Sequence, residues 1–119
     1  MINRYLLDTN TIIYSINGGL ELPEASYYTT KITYDEIFSC NKLTEQEKEA
    51  IKKIFVNINI IDTNDTIAHN AEQIQKKYEL TKSDSIICSI AHTYSLTLIS
   101  NDKILHQVEE INKEFFYFT

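Results

Sequence analysis

Apolar positions along this chain change between strand-like and helical spacing, and the changes predict strands alternating with helices. The first example is Tyr5-Leu6-Leu7, an apolar run that ends at Asp8 and is followed closely by Ile12-Ile13-Tyr14. This order is typical of a short buried strand that turns directly into a helix. The helix is predicted over 11–17, because Gly18-Gly19 is a clear helix breaker.

The same alternation continues to the end of the sequence. Aromatic and β-branched residues predict a strand over 26–32, and Thr33 with Glu36 fits a capping box that opens a helix ending near Asn41. Thr44 with Glu47 repeats the capping box. The later predictions are a helix from Thr44 with a Glu49–Lys53 pair, a strand over 56–61, helices over 65–78 and 83–94, a strand over 96–99, a weak helix through Val108 and an edge strand over 115–118.

Strands that alternate with helices imply a mostly parallel sheet covered on both faces. The predicted fold class is therefore α/β, with a central sheet of about four to five strands flanked by helices. A chain of 119 residues is expected to form one domain, 1–119.

Composition narrows the functional classes. The apolar runs are far shorter than the roughly 18 residues that span a bilayer, and Met1 to Arg4 does not resemble a signal peptide, so a soluble, cytoplasmic protein is expected. Cys40 and Cys88 lack a partner at zinc-ligand spacing and are predicted to be reduced helix residues. The net charge of −6 excludes nucleic-acid binding by bulk electrostatics unless metal ions offset the acids.

Four carboxylates stand at the junctions of predicted elements. Asp8 and Asp102 follow strands, while Glu36 and Asp84 lie near helix starts. Each alone fits a cap, a turn or a favourable place in the helix dipole. In a parallel sheet, however, all four face one edge, where they would repel one another unless cations held them. Carboxylate oxygens without His or Cys suit Mg²⁺ or Mn²⁺, the usual ions for phosphodiester hydrolysis.

The motifs around these acids give the chain a family resemblance. It resembles the PIN-domain ribonucleases, most of all the small VapC-type toxins of bacterial toxin–antitoxin pairs. Four segments carry the resemblance, in register over nearly the whole chain: Tyr5 to Ile13 (YLLDTNTII), Ile32 to Ile37 (ITYDEI), Leu80 to Ala91 (LTKSDSIICSIA) and Leu98 to Asp102 (LISND).

The resemblance implies a PIN-like fold and a metal-dependent endoribonuclease. By it, the catalytic metal ligands for Mg²⁺ or Mn²⁺ would be Asp8, Glu36, Asp84 and Asp102. Asn10 and Ser100 would give polar support around the ion, and no histidine would be needed. The resemblance also implies an RNA substrate, a cognate antitoxin and a homodimer. The aromatic residues Tyr27-Tyr28 and those of 115–118 are expected to be exposed and to favour such contacts.

Some features are less informative or depart from the family pattern. Lys82 and Lys103 flank two of the acids and are weak candidates for RNA contacts. Asp35 adds an acid beside Glu36 and is predicted to face solvent. The segment between Asn41 and Asp62 holds one predicted helix where relatives often have a longer hairpin, which leaves the partner surfaces open.

Two alternatives to a nuclease stay open at this point. A phospho-receiver domain also gathers acids at the edge of a parallel sheet, but it requires an acid pair after the first strand and a late lysine, and this chain offers only Asp8 there. The second alternative is a PIN-like module that has lost catalysis and serves in binding.

Overall fold

A computed structural model of the protein describes residues 3–16 and 24–114. Strands and helices alternate along the chain, as predicted. In chain order they are β1 (Arg4–Leu7), α1 (Thr9–Ile16), β2 (Ser26–Thr30), α2 (Lys31–Phe38), α3 (Glu45–Phe55), β3 (Ile58–Ile61), α4 (Asp65–Tyr78), α5 (Lys82–Thr93), β4 (Thr97–Ile99), a 3₁₀ turn (Leu105–Gln107) and β5 (Asn112–Glu114).

The five strands form one parallel sheet in the order β3-β2-β1-β4-β5. The predicted α/β fold class is confirmed. The chain first builds the sheet outward from β1 through β2 to β3 and then returns to add β4 on the other side of β1. Ligands of such sheets bind outside the carboxyl ends of the strands at this switch point. Receiver domains have the different order 2-1-3-4-5, so the phospho-receiver alternative is wrong.

Side chains of β1 supply both faces of the core because successive residues of a strand point to opposite sides. Leu6 is fully buried in the cluster formed with α4 and α5, while Tyr5 and Leu7 pack with residues of α1, α2 and α3. Burying a leucine of this kind stabilises the fold by about 1.5–3 kcal/mol. The sheet therefore lies between two helical layers and is held from both.

Among the described helices, α5 is the most buried. All residues from Ser85 to Ala91 are buried. The hydroxyl of Ser89 donates to the carbonyl of Ile67 in α4 at 2.8 Å, and the hydroxyl of Ser85 donates to the carbonyl of Lys82 at 2.7 Å. These bonds satisfy the two hydroxyl groups, and the Ser89 bond links α5 to α4.

Helix α2 begins earlier than predicted. Thr30, and not Thr33, is its N-cap: the Thr30 side chain accepts from the backbone N–H of Thr33 at 3.0 Å. Thr33 is buried in the first turn, where its hydroxyl accepts from Thr30 at 3.0 Å. The helix ends at Phe38 instead of near Asn41. Glu36 therefore lies in the second turn and does not close a capping box.

Other local predictions need correction. Glu49 pairs with Lys52 at 3.3 Å instead of with Lys53. Cys40 was predicted to be a helix residue, but it lies beyond the end of α2. Tyr27 and Tyr28 are half-buried and not exposed as predicted: Tyr27 stacks on Tyr5 with ring centroids 5.9 Å apart, and Tyr28 packs against the core.

The C-terminal predictions also change. The weak helix shrinks to the 3₁₀ turn, and the last strand is Asn112–Glu114; the predicted strand over 115–118 lies outside the described residues. The capping box of Thr44 and Glu47 is confirmed. Among the helices described, none is both long and apolar enough to cross a membrane.

Candidate active site

Asp8 stands at the point where β1 becomes α1. Its Oδ1 accepts from the backbone N–H of Thr11 at 2.9 Å and from the Thr11 hydroxyl at 2.6 Å. Its Oδ2 accepts from the Ser100 hydroxyl at 2.5 Å. Asp8 thus acts as an N-cap for α1, which is one of the structural roles considered from the sequence. It is also buried at the sheet edge, with 7 % exposure.

Ser100 follows β4 and connects two of the acids. While its hydroxyl donates to Asp8, the same oxygen accepts from the backbone N–H of Asp102 at 3.1 Å. The Asp102 carboxylate accepts from the backbone N–H of Ile104 at 3.0 Å, which stabilises the turn after β4. The two strand ends at the switch point are therefore joined through one serine.

Glu36 reaches the same region from α2. Its Oε2 accepts from the Thr9 hydroxyl and its Oε1 from the Ser83 hydroxyl, both at 3.1 Å. These contacts tie α2 to the first residues of α1 and α5. Glu36 is exposed, so these bonds orient a side chain that solvent also reaches.

Asp84 lies in the first turn of α5, whose N-cap Thr81 accepts from the Asp84 backbone N–H at 3.2 Å. Burial raises the pKa of the Asp84 carboxyl, and the negative charges of Asp102, Asp8 and Glu36 raise it further, against an opposing hydrogen bond from Thr81. The repulsion shows that the four acids share one electrostatic environment.

A cavity of about 340 Å³ lies between these residues. The four predicted acids and Asn10 all line it, together with Thr9, Thr81, Ser83 and Ile87. The structure therefore brings the predicted acids to one place. Among the described residues, no three acids, histidines or cysteines are arranged closely enough to hold a metal ion as they stand. The donor set is nonetheless all oxygen, which fits Mg²⁺ or Mn²⁺ chemically.

The other candidates lie apart from the cavity. Lys82 lines a separate groove between α4 and α5, and Lys103 is exposed in the turn after Asp102. Asp35 faces solvent, as predicted, and pairs with Lys31 at 2.7 Å.

The histidines also contact groups outside the cavity. His106 hydrogen-bonds through Nε2 to the carbonyl of Ser100 at 2.7 Å. His69 contacts the side chain of Gln73, and His92 contacts the carbonyl of Glu110.

Four hydroxyl residues of the site were not predicted: Thr9, Thr11, Thr81 and Ser83. Each is close in sequence to an acid, so proximity to Asp8 or Asp84 was an available signal. Their partners were not predictable, because Thr9 and Ser83 bind Glu36 from 27 and 47 residues away.

A larger cavity of about 570 Å³ lies elsewhere, between α1 and α3. Its two acids, Glu45 and Glu49, are exposed on α3, and much of the remaining wall is apolar, including Ala50 and Ile54. Size alone does not make it the reactive site. The smaller cavity is the better candidate because polar groups converge on it at the switch point of the sheet.

The fold and the cavity define an α/β domain with an acid-lined site at the carboxyl edge of a parallel sheet. The sequence profile of the PIN domain family matches residues 5–111. The chain therefore belongs to the PIN domain family, which confirms the resemblance seen in the sequence motifs. No match was found among curated proteins.

Solved structures share this fold. A chain of VapBC2 from Rickettsia felis, determined bound to a DNA fragment from the promoter, is 19% identical with a TM-score of 0.78, over 96% of this chain and 99% of that chain. DNA-bound VapBC from Salmonella typhimurium gives 20% identity and a TM-score of 0.80, over 96% and 98%. A toxin–antitoxin complex from Klebsiella pneumoniae gives 25% identity and a TM-score of 0.74, over 89% and 93%.

Proposed function

We propose that this chain is a Mg²⁺- or Mn²⁺-dependent endoribonuclease and the VapC-type toxin of a type II toxin–antitoxin pair. The observation that carries the proposal is the convergence of Asp8, Glu36, Asp84 and Asp102 on one cavity at the switch point of a PIN domain. The structural similarity to toxin–antitoxin complexes supports the toxin assignment.

The four carboxylates would hold the ion, and Asn10 and Ser100 would support them. When bound, Mg²⁺ or Mn²⁺ supplies Lewis acidity that activates water and offsets charge on the phosphate and the leaving oxygen. The chain contributes orientation. Asp8 is fixed by Thr11 and Ser100, and Glu36 by Thr9 and Ser83, so the acids present their oxygens in a defined arrangement.

The charge of the cavity supports the proposed need for a cation. Its lining, among the described residues, includes four acids but neither lysine nor arginine. An RNA phosphate would be repelled from such a surface. A divalent cation would attract the phosphate instead. It would also counteract the burial and the repulsion from neighbouring acids that together raise the pKa of Asp84.

The decisive experiment is cleavage of a broad panel of structured RNAs with Mg²⁺ or Mn²⁺. We expect cuts that EDTA abolishes and that Asp8→Asn reduces by at least about 100-fold, since the loss removes a ligand of the reacting centre. Asp35→Asn is the matched control, because Asp35 is the neighbouring acid on α2 but pairs with Lys31 away from the cavity. Cleavage that persists in EDTA or in Asp8→Asn would overturn the proposal. Folded protein that leaves every RNA intact while binding it would instead favour the inactive binding module.

The proposed partners are a cognate antitoxin and a second copy of the chain, acting in the cytoplasm. Induced expression is expected to arrest growth, and co-expression of the antitoxin is expected to restore it. Asp8→Asn should not arrest growth although it accumulates to the same level. Sedimentation should show a dimer; a monomer at high concentration would contradict this part of the proposal.

A further inference from the structure

Thr11 is a fully buried residue that touches both strand ends of the site. Its backbone N–H and its hydroxyl both reach Oδ1 of Asp8, at 2.9 and 2.6 Å, and the hydroxyl oxygen also lies 2.9 Å from the carbonyl oxygen of Ile99. The hydroxyl has one proton for two acceptors. An ionised carboxylate is the stronger acceptor, so the proton is directed mainly toward Asp8.

The opposite oxygen of Asp8 is held by Ser100. A carboxylate offers about four acceptor positions, and three of them are used by Thr11 and Ser100. Asp8 is also buried, so water cannot readily replace a lost donor. The carboxylate cannot rotate about its Cβ–Cγ bond without breaking several of these bonds at once.

We propose that Thr11 is the positioning residue of the site: its hydroxyl fixes the plane of the Asp8 carboxylate for binding the divalent cation. This inference rests on the proposed function and deepens it. The Thr11 side chain also lies at the end of β4, close to where Ser100 and Asp102 follow that strand, since its oxygen is 2.9 Å from the Ile99 carbonyl oxygen. Removing a group that orients a metal ligand typically weakens metal affinity by about 10–100-fold.

The test measures Mn²⁺ binding by calorimetry on the whole chain without RNA. Thr11→Val keeps the shape but loses the hydroxyl, and we expect its Mn²⁺ affinity to fall by about 10–100-fold. Thr11→Ser restores the donor and should recover wild-type affinity. Thr29→Val is the matched control: Thr29 is equally buried, and its hydroxyl donates to the carbonyl of Leu7 at 2.8 Å without touching an acid.

A double-mutant cycle separates positioning from general stability. In an Asp8→Asn background, Thr11→Val should cause little further loss of Mn²⁺ affinity, because the side chain that it orients is already altered. Equal affinities of Thr11→Val and Thr29→Val would overturn the inference, as would a Thr11→Ser variant as weak as Thr11→Val. If Thr11→Val does not fold, Thr11→Cys replaces it, since a thiol is only a weak donor and must also weaken binding. Absence of Mn²⁺ binding by the wild type would overturn the proposed function itself.

Discussion

Ser100 donates its hydroxyl to the Asp8 carboxylate across 92 residues of sequence, and this bond joins the ends of β4 and β1. The two strands are neighbours only because the sheet reverses its direction of growth at β1. The topology therefore creates the site: it places the polar residues that follow the two strands side by side. The buried Asp8 carboxylate, with a hydroxyl donor on each oxygen, is thereby fixed at the edge of the acid-lined cavity.

A first prediction concerns stabilisation by the ion. Because the proposed cation binds only the folded chain, Mn²⁺ at about 100 times its Kd should add about 2.7 kcal/mol to the free energy of unfolding, or roughly 10 °C in Tm. Thermal melts with Mn²⁺ and with EDTA measure the effect. Asp35→Asn should respond like the wild type, whereas Asp8→Asn should show little increase. The same increase in Asp8→Asn would place the ion elsewhere.

A second prediction uses the repulsion on Asp84. Its folded-state pKa is raised above the ordinary value of 3.8 by burial and by the neighbouring acids. Between these two values the folded chain binds more protons than the unfolded chain, so stability falls as pH rises through this window. In EDTA at neutral pH, Asp84→Asn should therefore raise Tm by about 1–4 °C. The difference in Tm between Asp84→Asn and the wild type should become smaller at acidic pH, because Asp84 is then protonated.

The control for Asp84 is another acid in the first turn of a helix. Asp65 begins α4 but does not line the acid cavity. Asp65→Asn should lower stability slightly, by about 0.3–1 kcal/mol, because it loses a favourable interaction with the helix dipole. Asp84→Asn should not lower Tm as Asp65→Asn does. A decrease would contradict the interpretation that burial and the neighbouring acids destabilise the ionised carboxylate of Asp84.

The sequence predicted those parts of the fold that depend on local pattern. Helix α4 has the predicted bounds, 65–78, because its apolar spacing and turn signals agree. The strand ending before Asp8 was equally clear. At α2 the prediction was wrong: Thr33 with Glu36 fits a capping box, but the N-cap is Thr30, which was placed in the preceding predicted strand. Thr30 is the N-cap because Thr33 and Ile37 are both buried when the helix begins at Lys31.

The site was predictable only in part, for the same physical reason. Asp8, Asp84 and Asp102 stand at element junctions, where topology brings them together, so their convergence followed from the fold class. Glu36 reaches them from the second turn of α2. The contacts of Glu36 with Thr9 and Ser83 depend on how α1, α2 and α5 pack. Such packing is decided by side chains distant in sequence, and no local motif records it.

A third prediction concerns the two thiols. Cys88 is fully buried, and burial raises its pKa to about 12. Since the thiolate is the reactive form, Cys88 should not react with a disulfide reagent at pH 8 in the folded chain. Cys40 is only partly buried and should react. A colorimetric thiol assay should find one rapid thiol in buffer and two in denaturant. Cys40→Ser should remove the rapid one and Cys88→Ala should leave it; rapid reaction of Cys88 would show that α5 opens readily.

The last prediction tests the two lysines beside the acids. Lys82 and Lys103 are exposed and do not line the cavity, so their proposed contacts are with RNA phosphates next to the cleaved bond. Each alanine substitution should therefore raise KM with little change in kcat, and should lower the salt dependence of binding by about one phosphate contact.

Lys52→Ala is the matched control for both lysines, because Lys52 is an exposed lysine of α3 that pairs with Glu49. Measuring kcat and KM over a series of salt concentrations separates binding of a neighbouring RNA phosphate from an action on the reacting phosphate. A fall in kcat at constant KM would mean that the lysine acts on the reacting phosphate instead. If kcat/KM depends on salt concentration equally steeply in the wild type and in all three variants, neither Lys82 nor Lys103 contacts RNA. RNA binding would then depend on the cation held by the acids and on surfaces remote from Asp84 and Asp102.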